Sequence, residues 1–459
     1  MIDPGRTVTG DDDGAIRRAA RVHQLVVVYA PERVDVRSRL LDRTPVTIGR
    51  EPGDGLRLPD PEASRRHAVV ARDPAREVWT ITDLGSRNGM FIDGAPRREA
   101  ELADGTVIRI GGSLLVFVAV DVAPDALLEP EDEHLLGGSA LMQLVRGELA
   151  QFAPRTLPVL LCGPSGTGKE CAARSIHARS GRRGPLVTVN CAAIAPSLAE
   201  TELFGHVAGA FTGATLPREG LFAAADRGTL FLDEIGDLAL ELQAKLLRAL
   251  ALGEVRPVGA TASTTVDVRV VAATLVDLGR AVEAGRFRGD LFARLTGLTV
   301  RLPPLCERRD DILPLATAWL GQRSTARLSP GAAEALLLYA WPYNVRELQH
   351  ALDVAVVRAA DGVIRVEHLS AEIGAKLRAR AGTRDARAAP EAVAPVPLAL
   401  RVDRTAASPS ADELRAVLEH YRGSVALTAG FFGRDRKQIY RWLERHGLEP
   451  ERFRDPAAP

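Results

Sequence analysis

Between His23 and Val120 the apolar residues come in short runs separated by turn sequences. The runs are LVVVYA, VTIGR, HAVVAR, VWTIT, MFIDG, TVIRI and LLVFVAV; between them stand PGDG, RDPARE, SRNG and ADG. Many short β-type runs at this spacing predict an all-β sandwich over residues 23–120. Residues 1–22 carry no such period and read as a disordered leader. Residues 121–134, DVAPDALLEPEDEH, are acidic and proline-bearing and read as a linker. From 135 to 374 the rhythm changes. The apolar strands LPVLLCG, PLVTVNC, GTLFLDE and DVRVVAAT alternate with helical stretches, which predicts an α/β domain with a parallel sheet. The later segments DILPLATAWLGQ, SPGAAEALLLYA and VRELQHALDVAVVRAA all have helical spacing and predict a small helical subdomain. Residues 375–410, rich in Ala, Arg and Pro, read as a flexible basic tether. Helical period returns over 411–459, and the chain has no internal repeat.

Composition adds limits. At 459 residues the chain has room for about three domains. Its 59 Lys and Arg balance 59 Asp and Glu, so a nucleic-acid partner has to be argued from a local patch. No run approaches the roughly 18 uncharged apolar residues of a membrane helix, and the N-terminus has no apolar signal region. No membrane partner is therefore expected. The four cysteines form no CxxC pair, which points to free thiols in a reducing cytoplasm.

The strand VLLC is followed by Gly163-Pro-Ser165-Gly166-Thr167-Gly168-Lys169-Glu170. GxxxxGK after a strand and before a helix is a Walker A phosphate loop. Its glycines let backbone N–H groups approach phosphate oxygens, and Lys169 reaches the terminal phosphates. Glu170 stands where the generic motif has Ser or Thr, and it is read with Gly163, Ser165, Gly166, Thr167, Gly168 and Lys169 as ATP-binding. Downstream, GTLFLDE ends in Asp233 and Glu234, an apolar strand delivering two carboxylates. Asp233 would hold Mg2+, and Glu234 would polarise an attacking water.

With the stretch Glu202-Leu-Phe-Gly-His-Val-Ala-Gly209-Ala210-Phe211-Thr212-Gly213-Ala214 added, these motifs resemble the AAA+ domain of bacterial sigma-54 enhancer-binding proteins. The resemblance covers residues 135–374, implies a P-loop ATPase with a helical lid, and resumes at the C-terminus. It implies that GAFTGA, with glycine hinges around an exposed Phe-Thr pair, engages sigma-54. Asn190 matches the switch asparagine, Thr274 the sensor I threonine and Arg346 the sensor II arginine. Arg288 and Arg294 match arginine fingers offered in trans, which implies a homo-oligomeric ring, by resemblance a hexamer. Leu275, Tyr343, Cys306 and Val207-Ala208 depart from the family's usual residues. None of them removes a phosphate, magnesium or water-activating group, so an active ATPase is expected.

Residues 411–448 imply three helices, Asp412 to Tyr421, Ser424 to Phe432 and Arg436 to His446, with Ser424 and Asp435 as caps and Gly433 at the turn. This is a helix-turn-helix reading, and the segment resembles the Fis type that ends sigma-54 activators. Between Arg422 and Leu448 six basic residues face two acids. Arg436, Lys437, Gln438 and Arg441 fall early on the third helix, where enhancer DNA would be read. Arg434 stands where the family usually places an apolar residue.

Residues 46–117 resemble a forkhead-associated (FHA) domain through Gly49-Arg50, Ser64-Arg65-Arg66-His67 and Asn88-Gly89. The resemblance implies a phosphothreonine site in which Arg50 and Ser64 bind the phosphate, Arg65 assists and Asn88 holds the peptide. His67 reads as a buried scaffold histidine. Together these features predict a multidomain, cytoplasmic activator of sigma-54 RNA polymerase that binds ATP and Mg2+ and answers to a phosphothreonine protein or kinase. The alternative is an FHA-dependent DNA-binding scaffold with a silent ATPase, which Leu275 favours.

Overall fold

A computed structural model of the chain describes residues 20–32, 37–122, 132–375, 377, 409–420, 425–432, 434, 436–448 and 453. The chain forms two compact units, residues 1–378 and 379–459, each described by itself.

The first unit opens with a β-sandwich, as the short apolar runs predict. Its strands are β1 (Ala20–Tyr29), β2 (Ser38–Leu41), β3 (Val46–Gly49), β4 (Leu56–Arg57), β5 (Ala68–Arg72), β6 (Trp79–Asp83), β7 (Met90–Ile92), β8 (Ala95–Arg97), β9 (Glu99–Leu102), β10 (Val107–Ile110) and β11 (Ser113–Val122). One sheet has the order β2-β1-β11-β10-β7-β8 and the other β4-β3-β5-β6-β9. Alternate residues, among them Leu25, Ile48, Val70, Ile81, Ile108, Leu115 and Phe117, fill the space between the sheets. β1 begins at Ala20, paired with Val122, so the last three residues of the stretch read as a leader join the sheet, as do Asp121 and Val122 from the stretch read as a linker. The far end of that linker is also anchored. Asp132 is buried and accepts from Ser175 Oγ at 2.8 Å and Arg179 Nε at 2.9 Å.

The α/β domain follows. Its elements are α1 (Ala140–Phe152), β12 (Val159–Cys162), α2 (Lys169–Arg179), β13 (Leu186–Asn190), α3 (Pro196–Phe204), β14 (Gly205–His206), β15 (Arg218–Glu219), α4 (Leu221–Ala224), β16 (Thr229–Asp233), α5 (Leu240–Leu252), β17 (Glu254–Val255), β18 (Thr264–Thr265), β19 (Arg269–Thr274), α6 (Leu278–Glu283), α7 (Gly289–Leu295) and β20 (Leu298–Arg301). The sheet order is β13-β16-β19-β12-β20, all parallel. Helices cover both faces, so its strands are apolar on both sides, and every residue of RVVAAT in β19 is buried. Arg269 opens that strand. Its guanidinium donates to the carbonyls of Ala153 and Phe152, closing the C-terminal end of α1.

The helical subdomain comprises α8 (Ile312–Arg323), β21 (Arg327–Leu328), α9 (Pro330–Leu338), α10 (Asn344–Arg358) and β22 (Val363–Ile364). Ser329 caps α9 by accepting from Ala332 N, with Pro330 in the first turn. Its core is continuous with the outer face of the sandwich: Val107, Leu114, Val116, Val118 and Val120 share one cluster with Leu313, Ala316, Leu336 and Leu337.

In the second unit, helices span Ala411–His420, Val425–Phe432 and Arg436–His446. Ser410 and Glu413 cap the first reciprocally: Glu413 N donates to Ser410 Oγ, and Ser410 N donates to Glu413 Oε2. Leu414, Val417, Leu418, Val425, Ala429, Phe432, Ile439, Trp442 and Leu443 form the core, with Phe432 edge-on to Trp442 at 5.6 Å. The expected caps Ser424 and Asp435, the turn residue Gly433 and nearly all of the expected tether lie outside the described residues.

Candidate functional site

A parallel sheet delivers the carboxyl ends of its strands to one edge, and the candidate residues collect there. Asn190 at the end of β13 is level with Asp233 at the end of β16, and Cys162 at the end of β12 is level with Thr274 at the end of β19. After Cys162 the chain turns through Gly163, Gly166 and Gly168, all with φ in the positive range, and enters α2 at Lys169. Only glycine takes this path at low cost. At Gly166 a Cβ would also sit 2.2 Å from the Tyr343 carbonyl. The loop thus leaves a backbone cradle at a helix N-terminus, the shape and polarity that a phosphate group fits.

Lys169 is buried and donates to the carbonyls of Gly163 at 2.9 Å and Pro164 at 3.1 Å. Burial pushes its ammonium below the ordinary lysine range, and the nearby carboxylates of Asp233 and Glu234 oppose that shift. Thr167 is also buried, its hydroxyl donating to Pro164 O at 2.9 Å. Glu170 is different. It lies on the exposed face of α2, paired with Arg174 at 2.7 Å. Glu234 has φ 55° and donates its N–H to Asp233 Oδ1 at 3.1 Å. Burial first, and then the charge of Asp233, raise its carboxyl above the usual glutamate range, while Lys169 lowers it. Thr274 is buried, and its hydroxyl is engaged by its own loop: it donates to Val276 O and accepts from Val276 N, both at 3.1 Å. Leu275 beside it is 45% exposed. Asn190 turns its Oδ1 to the N–H groups of Ala192 and Ala193.

The helical subdomain closes over the loop. Arg346 Nη1 donates to Ser165 Oγ at 3.1 Å, and Val345 N donates to Gly166 O at 3.0 Å. Two further contacts escaped the sequence reading. Asn344 Nδ2 donates to Ser165 O at 2.8 Å while its Oδ1 accepts from Leu305 N at 2.7 Å. Arg308 Nη2 donates to Thr167 O at 2.9 Å. The signal at Asn344 was an amide opening a helix, which reads equally well as an ordinary cap. Beside Gly168 opens a cavity of about 260 Å³, lined by Leu135, Leu136, Cys171, Trp319, Val345 and Leu348 among others.

Arg288 and Arg294 are exposed. Arg288 pairs with Asp290 at 2.7 Å and Arg294 donates to Leu250 O at 3.2 Å, so within one chain their bonded partners are not residues of the phosphate loop. GAFTGA follows the short strand β14. Gly209 (φ 80°) and Gly213 (φ 98°) bracket Ala210, Phe211 and Thr212, and Gly209 N donates to Ala214 O at 2.7 Å, closing the loop. Phe211 is 45% exposed and lies edge-on to His206 at 5.1 Å; Thr212 is exposed and Ala214 buried. Val207 N donates to Val258 O at the loop's base.

In the sandwich three loops are cross-braced at one end. Arg50 N donates to Ser64 O, Glu51 N to Arg65 O, and Arg87 N to Ser64 Oγ. Asn88 Nδ2 donates to Glu62 O at 2.8 Å. Arg50, Arg65 and Asn88 are exposed, as is Arg87, a cation the sequence reading did not single out. His67 is fully buried. Its Nδ1 accepts from Ser64 N and its Nε2 lies 3.1 Å from Gly89 O, the scaffold role expected of it; burial lowers its pKa. In the second unit, Arg436, Lys437, Gln438 and Arg441 lie on the helix Arg436–His446, and Arg441 and Arg434 are exposed.

Residues 135–301 match the model of the Sigma-54 interaction domain, 306–386 that of the AAA+ ATPase lid domain and 46–111 that of the FHA domain. The chain carries an AAA+ ATPase-type sigma-54 interaction domain. It is 44% identical over 338 residues to the anaerobic nitric oxide reductase transcription regulator NorR of Citrobacter koseri, a match covering 68% of this chain and 66% of that protein. The same regulator from Salmonella paratyphi C is 44% identical over 340 residues, 69% of this chain and 66% of its own. The chain thus spans about two thirds of the length of these relatives. The crystal structure of NtrX from Brucella abortus in complex with ADP superposes with a TM-score of 0.50 at 30% identity, covering 68% of this chain and 70% of that one. These matches place a sigma-54 interaction domain, an AAA+ lid and an FHA domain in one chain. Among the described residues no helix is long and apolar enough to cross a membrane.

Proposed function

We propose that this protein activates transcription by sigma-54 RNA polymerase and powers the step with ATP. The observation that carries this reading is that one edge of the sheet holds the phosphate loop, Asp233, Glu234 and Thr274 together, within a domain that also bears an exposed, glycine-hinged loop, Gly209–Ala214. Lys169 and the loop N–H groups hold the β- and γ-phosphates, and the apolar cavity beside Gly168 takes the base. Asp233 would hold Mg2+, which would supply charge neutralisation at the phosphates. Glu234, held partly desolvated, accepts the proton of the attacking water, and Asn190 positions Glu234. Arg346 reads the nucleotide from the lid. Arg288 and Arg294, exposed on each protomer, complete the site of a neighbour in a ring, by resemblance a hexamer. Phe211 and Thr212 then press on sigma-54 in the closed polymerase complex.

The helices of residues 411–448 hold the protein on enhancer DNA through Arg436, Lys437, Gln438 and Arg441. A phosphothreonine partner or kinase docks at Arg50, Ser64, Arg65 and Asn88, with Arg87 adding charge. The test is transcription in vitro from a sigma-54 promoter with ATP or a non-hydrolysable analogue. Product is expected only with ATP, and none from Glu234→Gln. If the wild-type protein releases no phosphate from ATP yet binds DNA and phosphopeptide, the silent scaffold is the correct reading.

A further inference from the structure

In an antiparallel sandwich one sheet face packs inward and the other faces water, so strands alternate apolar and polar. β11 breaks that rule. Leu115 and Phe117 point into the sandwich core, yet Leu114, Val116, Val118 and Val120 on the opposite face are apolar and at most 8% exposed. Val107 of β10 joins them at 1%. What covers most of this face is the lid of the same chain: these five residues form one cluster with Leu313, Ala316 and Leu320 of α8 and with the apolar residues of α9, and Ala140 and Leu141 at the start of α1 pack against its edge.

The polar contacts around the patch are specific. Arg109 lies on the same face as Val107 and pairs with Glu334, a nearly buried carboxylate of α9, at 2.9 Å. Its guanidinium carbon lies over the Phe91 ring, 3.8 Å from the centroid. Tyr29 Oη donates to Leu328 O at 3.0 Å, and Arg309 Nη1 donates to Gly105 O at 2.8 Å. Arg309 adjoins Arg308, which donates to Thr167 O of the phosphate loop, so consecutive side chains bond the sandwich and the loop. The loops carrying Arg50, Arg65 and Asn88 stay exposed while the sheet face is covered.

We propose that the outer face of the β1–β11–β10 sheet is a dedicated docking surface for the chain's own lid, so that the FHA domain travels with the lid as one body rather than swinging on a tether. A partner bound at Arg50 and Ser64 would then ride on the lid, its position set by the nucleotide beneath; this last consequence rests on the FHA reading above, whereas the docking does not. A ligand shifts an equilibrium only by its differential affinity for the two states. A short phosphopeptide touching the FHA loops alone therefore leaves nucleotide affinity unchanged, and a signal needs a partner large enough to meet a neighbouring protomer.

Scanning calorimetry of the full chain, with and without ADP, tests the docking. FHA and ATPase domains are expected to melt in one transition that ADP moves upward as a whole. Val116→Lys places a charge on the covered face and is expected to split it into an ADP-sensitive step and an ADP-insensitive one. Val116→Thr, close in size and favourable on a wet strand, is the second variant and is expected to lower the shared transition. Two independent transitions in the wild-type protein, or a Val116→Thr variant as stable as wild type, overturn the proposal. None of these outcomes depends on phosphopeptide binding or transcription, so they stand apart from a failure of the proposed function.

Discussion

Asn344 offers a sharp test of how the lid holds the phosphate loop. Its side chain is 1% exposed, its backbone is left-handed at φ 54°, and its amide joins Leu305 N to Ser165 O. Asn344→Ala removes both bonds and leaves a buried donor and a buried acceptor unmet, at about 1–3 kcal/mol each. Alanine in the left-handed region adds about 1 kcal/mol that asparagine largely avoids. Partial relaxation brings the expected loss to roughly 3 kcal/mol, the lower part of that range. Asn344→Asp keeps the acceptor for Leu305 N but turns a carboxylate toward the Ser165 carbonyl, so it loses one bond and gains a repulsion, again about 2–3 kcal/mol. Calorimetry of the full chain with and without ADP reads both quantities of interest. For the FHA and ATPase domains melting as one unit the alanine variant should melt about 4 °C lower, with weaker stabilisation by ADP because the Ser165 carbonyl is no longer held. If both variants melt within about 2 °C of wild type and respond fully to ADP, the bridge does not brace the loop and the argument is wrong.

Other substitutions probe separate parts of the molecule. Gly49→Ala would put a Cβ 2.3 Å from the Arg65 carbonyl, so it should abolish binding of a phosphothreonine peptide measured by calorimetric titration while leaving ATP hydrolysis intact. Burial lowers the pKa of His67 in the folded chain, so folding is stabilised fully above about pH 6.5 and loses stability as pH falls through the folded value; His67→Gln should flatten that limb of a melting-temperature profile. Asp310 has the opposite sign. Burial, with Asp311 beside it, raises its carboxyl to about 7, so its penalty is absent near pH 4 and complete above pH 7. Asp310→Asn should therefore stabilise the chain at pH 8, by up to about 4 kcal/mol, and change little at pH 4. If Asp310→Asn is equally neutral at both pH values, the burial argument for that carboxyl fails.

Much of the site was legible because phosphate chemistry imposes backbone rules that appear as residue types. Gly163 and Gly168 have positive φ, and GxxxxGK marks both without any coordinates; Gly166, at a free position of the motif, has positive φ as well. The strand runs ending in Cys162, Asp233 and Thr274 were readable as a parallel sheet because burial on both faces leaves no polar alternation. Glu170 shows the limit. Its place in the motif suggested a nucleotide contact, but helical spacing puts Arg174 one turn on, and the two pair on the exposed face of α2. Arg308 and Asn344 were missed for the reverse reason: each acts by bonding a backbone carbonyl of the phosphate loop more than a hundred residues away.

Local order, then, was in the sequence: which stretches are strand or helix, where the chain must turn through glycine, and which apolar residues face inward. Those properties depend on steric and hydrophobic preferences acting over a few residues. Tertiary structure alone decided which surfaces meet. The run LLVFVAV was readable as a strand of a sandwich, but nothing in it named α8 and α9 as the cover of its outer face, since hydrophobic burial is proportional to area and indifferent to partner. The choice fell to shape and to a few directional contacts, Arg109 with Glu334 and Arg309 with Gly105, whose partners lie some two hundred residues apart and become neighbours only when the whole unit has folded.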